Sequence, residues 1–218
     1  MTLTRYFVAI LVVGGLVAAL YFILTRPERQ VSWVAVGQDS TNYGNIMWSK
    51  DGKTWTETSS GGSFDNGQGV AYGGDLWVAG SAAPAGRGSI MTSSDGKTWN
   101  VTTKGSSMST GVEGFAYGKD DSNNPRWVAV GNDSTAYGNI MWSDNGSCWV
   151  STTEGDSFSA NGNKVAYANN RWVAVGNDST SQGNIMWSDN GSCWVKTLEG
   201  DSFSTSGDGV AYGNDLWV

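Results

Sequence analysis

The sequence predicts an all-β fold in which one four-stranded antiparallel unit recurs along the chain. Three observations predict it. First, Trp33, Trp77, Trp127, Trp172 and Trp217 each open the same text, which reads WVAVGNDSTSQGNIMWSDNGSCW from Trp172 to Trp194, at steps of 44, 50, 45 and 45 residues. Second, 31 Gly and 12 Trp stand against 3 Pro in 218 residues. That balance suits closely spaced strands and tight turns, because Gly accepts the positive φ that other residues resist. Third, every repeat carries short apolar runs bounded by turn residues.

The fourth copy shows the elements in order. Strand a is KVAYA, Lys164 to Ala168; Asn169 and Asn170 turn the chain; strand b is RWVAV, Arg171 to Val175. A polar loop from Gly176 to Gly183 leads to strand c, NIMWS, Asn184 to Ser188, and a turn through Asn190 and Gly191 leads to strand d, CWVKT from Cys193. Strands b and c are apolar at nearly every residue, so both of their faces are expected to be covered, as when one sheet stacks on the next. The c to d connections carry Asp51-Gly52, Asp95-Gly96, Asn145-Gly146 and Asn190-Gly191, dipeptides favoured by two-residue type I′ hairpins. The 50-residue step places its extra residues at the a to b turn, KDDSNNP from Lys119 to Pro125, where a hairpin tip tolerates insertion. Tryptophans that recur once per repeat, opening b, closing c and opening d, read as packing. A period of about 40 to 50 residues made of short strands points to the blades of a β-propeller and away from solenoids of helix pairs.

Residues 1–30 are a different polymer. From Tyr6 to Leu24 the chain runs nineteen residues without a charge, between Arg5 and the pair Arg26 and Arg29. That is about the length a helix needs to cross roughly 30 Å of hydrocarbon, and the run ends in Tyr21, Phe22, Ile23 and Leu24 instead of a small-x-small cleavage site. A single transmembrane helix acting as a signal anchor over residues 6–24 is therefore expected. The repeat region, residues 31–218, is then expected on the extracytoplasmic side of a single-pass membrane protein.

Residues 31–218 carry 10 Lys and Arg against 19 Asp and Glu. An acidic surface argues against nucleic acid and anionic lipid as partners, since their phosphates would be repelled. Cys148 and Cys193 occupy one repeat position 45 residues apart, too far in neighbouring units for a disulfide, and read as free buried thiols. With no His in the chain and no clustered Cys, the sequence argues against a zinc site. Asn100, Asn132, Asn145, Asn177 and Asn190 open glycosylation sequons, although Asn, Gly and Ser are also what turns demand.

The segments SKDGKTW, Ser49 to Trp55, and SSDGKTW, Ser93 to Trp99, resemble the Asp-box or BNR repeat of sialidase-like β-propellers, Ser-x-Asp-x-Gly-x-Thr-Trp. One residue between Asp and Gly is absent here. The later copies, SDNGSCW from Ser143 and from Ser188, depart further. The resemblance covers residues 31–218 at the level of blades and implies that the box is a structural turn between the third and fourth strands. The family's chemistry uses an arginine triad, a tyrosine nucleophile with a glutamate, and an acidic proton donor. Only Arg87, Arg126 and Arg171 lie in the repeats, with Arg126 and Arg171 standing where other copies have Leu76 and Leu216, so no catalytic residue is carried over.

A four-stranded meander places its b to c loops and its d to a crossovers at one end of the sheets. That face is expected to gather Asp39, Asp133, Asp178, Asp156 and Asp201 with Tyr43, Tyr137, Phe158 and Phe203. Carboxylates beside aromatics suit a neutral or cationic polar ligand, including a sugar, on a protein or glycan, and oxygen-rich loops could hold Ca²⁺; no other cofactor and no metal ligand set is indicated. The bland alternative is that these Asp, Ser and Thr side chains satisfy loop backbone. Because Gly209 to Tyr212 begins another strand a and Leu216 to Val218 another strand b, the sequence reads as part of a longer propeller. The expected function is binding or scaffolding; the alternative is a sialidase-like glycan hydrolase whose catalytic residues lie in blades outside this sequence.

Overall fold

The computed structural model describes residues 7–13, 16–22, 33–38, 45–58, 60–62, 64–82, 90–102, 104–105, 108–133, 139–178 and 184–218. The repeat region is all-β. Repeat 1 gives a three-stranded sheet of Trp33–Val36, Ile46–Ser49 and Thr56–Glu57. Repeats 2, 3 and 4 each give strands a to d as one antiparallel meander: Gly67–Gly73, Leu76–Ser81, Ile90–Ser93 and Thr98–Val101; Gly111–Lys119, Pro125–Asn132, Ile140–Ser143 and Cys148–Ser151; Asn161–Ala168, Arg171–Asn177, Ile185–Ser188 and Cys193–Lys196. A further strand pair, Tyr212–Gly213 and Leu216–Trp217, begins the same pattern again.

Each complete sheet has a fifth strand that the meander does not supply. The crossover from the preceding repeat lays two residues parallel to strand d: Ser60–Gly61 on Thr98–Trp99, Lys104–Gly105 on Cys148–Trp149, and Glu154–Gly155 on Cys193–Trp194. The amides of Gly62 and Asp156 extend the pairing to the Trp99 and Trp194 carbonyls at 2.8 and 2.7 Å. This register requires glycine: Gly155 has φ +82, and a Cβ there would stand 2.3 Å from the Trp194 carbonyl oxygen. The crossover thus closes an open strand edge and fastens each sheet to its predecessor.

Apolar cores lie between successive sheets. Val128, Val130 and Ile140 of repeat 3 pack with Trp172, Ala174, Met186 and Trp194 of repeat 4 and with Phe158 of the crossover between them. The same positions build the core between repeats 2 and 3, around Val78, Ile90, Trp127, Met141 and Trp149, and that between repeats 1 and 2, around Ile46, Phe64, Met91 and Trp99. Trp127 to Val130 are all buried, so strand b has both faces covered as its unbroken apolar run predicts. Strands a of successive repeats lie side by side, where the ring of Tyr117 covers Gly73 and that of Tyr167 covers Gly118.

Three sequence expectations are corrected here. Residues 7–22 do not form one helix: Phe7–Val13 and Leu16–Phe22 pair antiparallel from Phe7↔Phe22 to Val13↔Leu16. The run is rich in Val and other β-formers and holds Gly14-Gly15 at its centre, a dipeptide suited to a two-residue hairpin. Among the described residues no helix is long and apolar enough to cross a membrane. Secondly, the type I′ turns sit between a and b. There Gly74-Asp75, Asn169-Asn170 and Asn214-Asp215 have φ between +49 and +61, while in the c to d turns only the glycine is positive. Thirdly, both thiols are free as expected, but Cys148 is exposed and Cys193 half-buried, because the strand d Trp that follows each takes the inward position.

Candidate functional site

A buried asparagine ties the head of strand c to the crossover that follows it. Asn139, 1 % exposed, donates from Nδ2 to the Phe158 carbonyl at 2.7 Å and accepts the Asp133 amide on Oδ1 at 2.7 Å. Asn184 repeats this with the Phe203 carbonyl and the Asp178 amide at 2.6 and 2.8 Å, and Asn45 donates to the Phe64 carbonyl. The sequence places these asparagines at the head of strand c in GNI, yet it singles out the loop carboxylates instead.

Those carboxylates sit as follows. Asp178 is buried; its carboxylate accepts Ser159 Oγ at 3.0 Å and pairs with Lys196 Nζ at 2.9 Å. Asp133, half-buried, accepts Ser109 Oγ at 2.8 Å. Asp156 turns its Oδ2 to the Lys196 amide at 2.9 Å, bracing the fifth strand. Phe158 is fully buried in the core between repeats 3 and 4, whereas Asp201 and Phe203, the same positions one repeat on, are exposed. Asp39, Tyr43 and Tyr137 lie outside the described residues. Asp133, Asp156 and Asp178 are thus tied to neighbouring elements of the fold, and Phe158 belongs to the core. Among the described residues, no three His, Cys, Asp or Glu side chains come together to hold a metal ion.

A second polar row follows strand a and was not anticipated. Each strand a is bulged near its start, between Gly67 and Gly69, Val112 and Gly114, and Gly162 and Lys164. The bulged residues are Gln68, Glu113 and Asn163. A bulge re-aims its residue out of the ladder, and here the row borders a cleft of about 230 Å³ lined by Gln68, Glu113, Lys164 and the backbone between them. Lys164 Nζ donates to the Glu113 carbonyl at 2.7 Å, and Asn163 Nδ2 to the Gly207 carbonyl at 2.8 Å. The signal was legible: glycine inside a strand pattern, as in GQGV and VEGF, marks a bulge.

The c to d turns are organised by their own side chains. Ser49 Oγ accepts the Gly52 amide at 2.9 Å, and Asp51 Oδ1 accepts those of Lys53 and Thr54, both at 2.8 Å. The bonds from the Thr54 and Lys53 amides, with one from Ser49 Oγ at 3.0 Å, hold the Asp51 carboxyl down at about 2. At Asp95 burial pushes upward but is outweighed by bonds from Thr98, Lys97 and Ser93, leaving it lowered. Asn145 and Asn190 accept the same amides without a charge. The arginines are structural as well. Arg126 reaches Asp144 at 3.1 Å, Asp120 at 3.5 Å and the Asn190 carbonyl of the next repeat at 2.9 Å, and lies over the Trp142 ring. Arg171 pairs with Asp189 at 3.2 Å over Trp187.

No protein-family model matches the sequence, and no curated protein is similar to it. Among solved structures, the computationally designed Ika4 protein is similar with TM-score 0.45 at 13 % identity, over 69 % of this chain and 82 % of that one. A Trypanosoma rangeli sialidase in complex with the inhibitor DANA has TM-score 0.40 at 14 % identity, over 69 % of this chain and 26 % of the sialidase. An alpha-L-arabinofuranosidase from Clostridium thermocellum has TM-score 0.42 at 13 % identity, over 84 % and 73 %.

Proposed function

We propose that this chain is a β-propeller-type binding or scaffolding module, held at a membrane by its apolar residues 6–24, that presents its row of b to c loops and crossovers to a polar ligand on a protein or glycan. The observation that carries the reading is the repeated asparagine bond from strand c to the following crossover. It ties the head of strand c to the following crossover in repeats 1, 3 and 4 alike, and a face built the same way in each repeat would suit several weak contacts with an extended partner. The side chains with chemical potential support the same reading, because Arg126 and Asp178 are occupied in bonds that join elements of the fold. The Asp-box-like turns are read as blade fasteners on the same ground.

Two measurements on the full chain test the proposal. Binding to an immobilised panel of neutral glycans is expected without release of product from a fluorogenic sialoside; turnover of the sialoside would replace the binding reading with the hydrolase. Flotation with phosphatidylcholine vesicles is expected for the native chain and lost when Val12 and Val17 are both replaced by Lys. Equal flotation of both chains would remove the tether.

A further inference from the structure

The bulge near the start of strand a gives repeats 2, 3 and 4 different residues beside one cleft, and two of them are charged. From the bulged residue onward the repeats read Gln68-Gly69-Val70, Glu113-Gly114-Phe115 and Asn163-Lys164-Val165. The second position is glycine in repeats 2 and 3, where successive strands a come close. A Cβ on Gly69 would stand 3.1 Å from the Glu113 carbonyl oxygen, and one on Gly114 3.2 Å from that of Asn163. Repeat 4 puts Lys164 in the same place, and its ammonium reaches back to the Glu113 carbonyl oxygen at 2.7 Å.

That bond uses one of the three N–H donors of the Lys164 ammonium and holds the group at the cleft with two donors left. The Glu113 carboxylate is not its partner. Half-buried, that carboxylate makes no hydrogen bond or ion pair with any described residue, and neither does the half-buried Gln68 amide that lines the same cleft. The cleft therefore offers a cation, an anion and an amide around about 230 Å³, completed by glycine backbone and by Phe115 and Val165. Drug-sized ligands occupy about 300 to 1,000 Å³, so this space is sized for a smaller molecule.

From these opposite charges, set in one cleft without pairing, we infer that the cleft binds a small zwitterion of the α-amino-acid type. Its ammonium is held by the Glu113 carboxylate and the Gln68 amide oxygen, and its carboxylate by the Lys164 ammonium. A ligand of one charge would leave one of the two protein charges without a partner. The group that meets the ligand's cation is a carboxylate, which accepts N–H bonds and so suits a primary ammonium, whereas a quaternary ammonium is met by aromatic faces. The inference uses no residue of the b to c loops or crossovers, so it is independent of the binding proposed for that face.

The test titrates the full chain with L-alanine, followed by calorimetry and by the amide resonances of Gly69 and Gly114. L-alanine is expected to bind saturably and to shift both amides. N-acetyl-L-alanine, an anion, and L-alanine methyl ester, a cation, should each bind about tenfold more weakly or not at all. Glu113→Gln and Lys164→Gly each install a residue that another copy carries at that position, so an unchanged circular dichroism spectrum is expected. Each should weaken L-alanine by about tenfold or more, and Lys164→Gly should bind L-alanine and its methyl ester alike. Any one of three results overturns the inference: no saturable binding of L-alanine, a singly charged derivative that binds the native chain as tightly, or folded variants that bind L-alanine as the native chain does.

Discussion

Replacing Asn139 by Ala tests the fastening of loop to crossover at its most buried point. The side chain is 1 % exposed and makes two bonds of 2.7 Å, to the Phe158 carbonyl and from the Asp133 amide. Alanine leaves both partners without it. A buried polar group left unsatisfied costs about 1 to 3 kcal/mol, so the pair gives a loss of about 3 kcal/mol. Asn184→Ala supplies the internal comparison. It breaks the same two kinds of bond, but its acceptor belongs to the exposed Phe203, where water substitutes, and about 1 to 2 kcal/mol is expected. Urea unfolding followed by tryptophan fluorescence gives the two losses, and amide exchange reads the Asp133 N–H directly. A loss below about 0.5 kcal/mol for Asn139→Ala, the level of an indifferent surface change, with the Asp133 amide still protected, would refute the reasoning.

Further outcomes follow from the packing and the turns. Gly118→Ala puts a Cβ 2.2 Å from the Tyr167 ring and should cost about 1 to 3 kcal/mol in thermal or urea unfolding, whereas Gly213→Ala, with nothing within 4 Å, should fall within about 0.5. Arg126→Ala should cost about 2 kcal/mol because it strips the Asn190 carbonyl and Asp144 together; Arg171→Ala, an exposed pair, should cost less than about 1. Asp51 is lowered from 3.8 to about 2, so its turn contributes stability that is fully present above pH 3.8 and is lost as pH falls through about 2. Carboxyl chemical shifts should show that midpoint, and a midpoint near 3.8 would detach the carboxylate from the Lys53 and Thr54 amides.

Periodicity made the sheets legible because residues that recur at a fixed step take the same place in successive sheets. Trp127, Trp172, Trp149 and Trp194 are core for that reason. What the sequence hid was pairing across repeats. Glu154-Gly155 reads as polar loop, and only the neighbouring strand d turns it into a strand. The turn chemistry misled in a related way: Asp-Gly suits a two-residue hairpin, but Ser49 and Asp51 accept the turn amides from their side chains, which stabilises a longer loop with one positive φ. Residues 6–24 read as a helix by length and apolarity alone, measures that do not separate a helix from two paired strands around Gly14-Gly15. In the candidate site, the partners of Asp178 are not adjacent in sequence: Ser159 comes from the crossover and Lys196 from strand d of the same sheet.

That the sheets are fastened in series by their crossovers is most directly tested by hydrogen exchange at the Gly62 and Asp156 amides, which donate to Trp99 and Trp194. Both lie in segments that read as loop, and nothing within their own repeat would protect them. Protection comparable to that of strands b and c is the expected result. Exchange at the rate of exposed loop amides, with strands b and c protected as usual, would mean that the sheets form without being joined and would contradict the account.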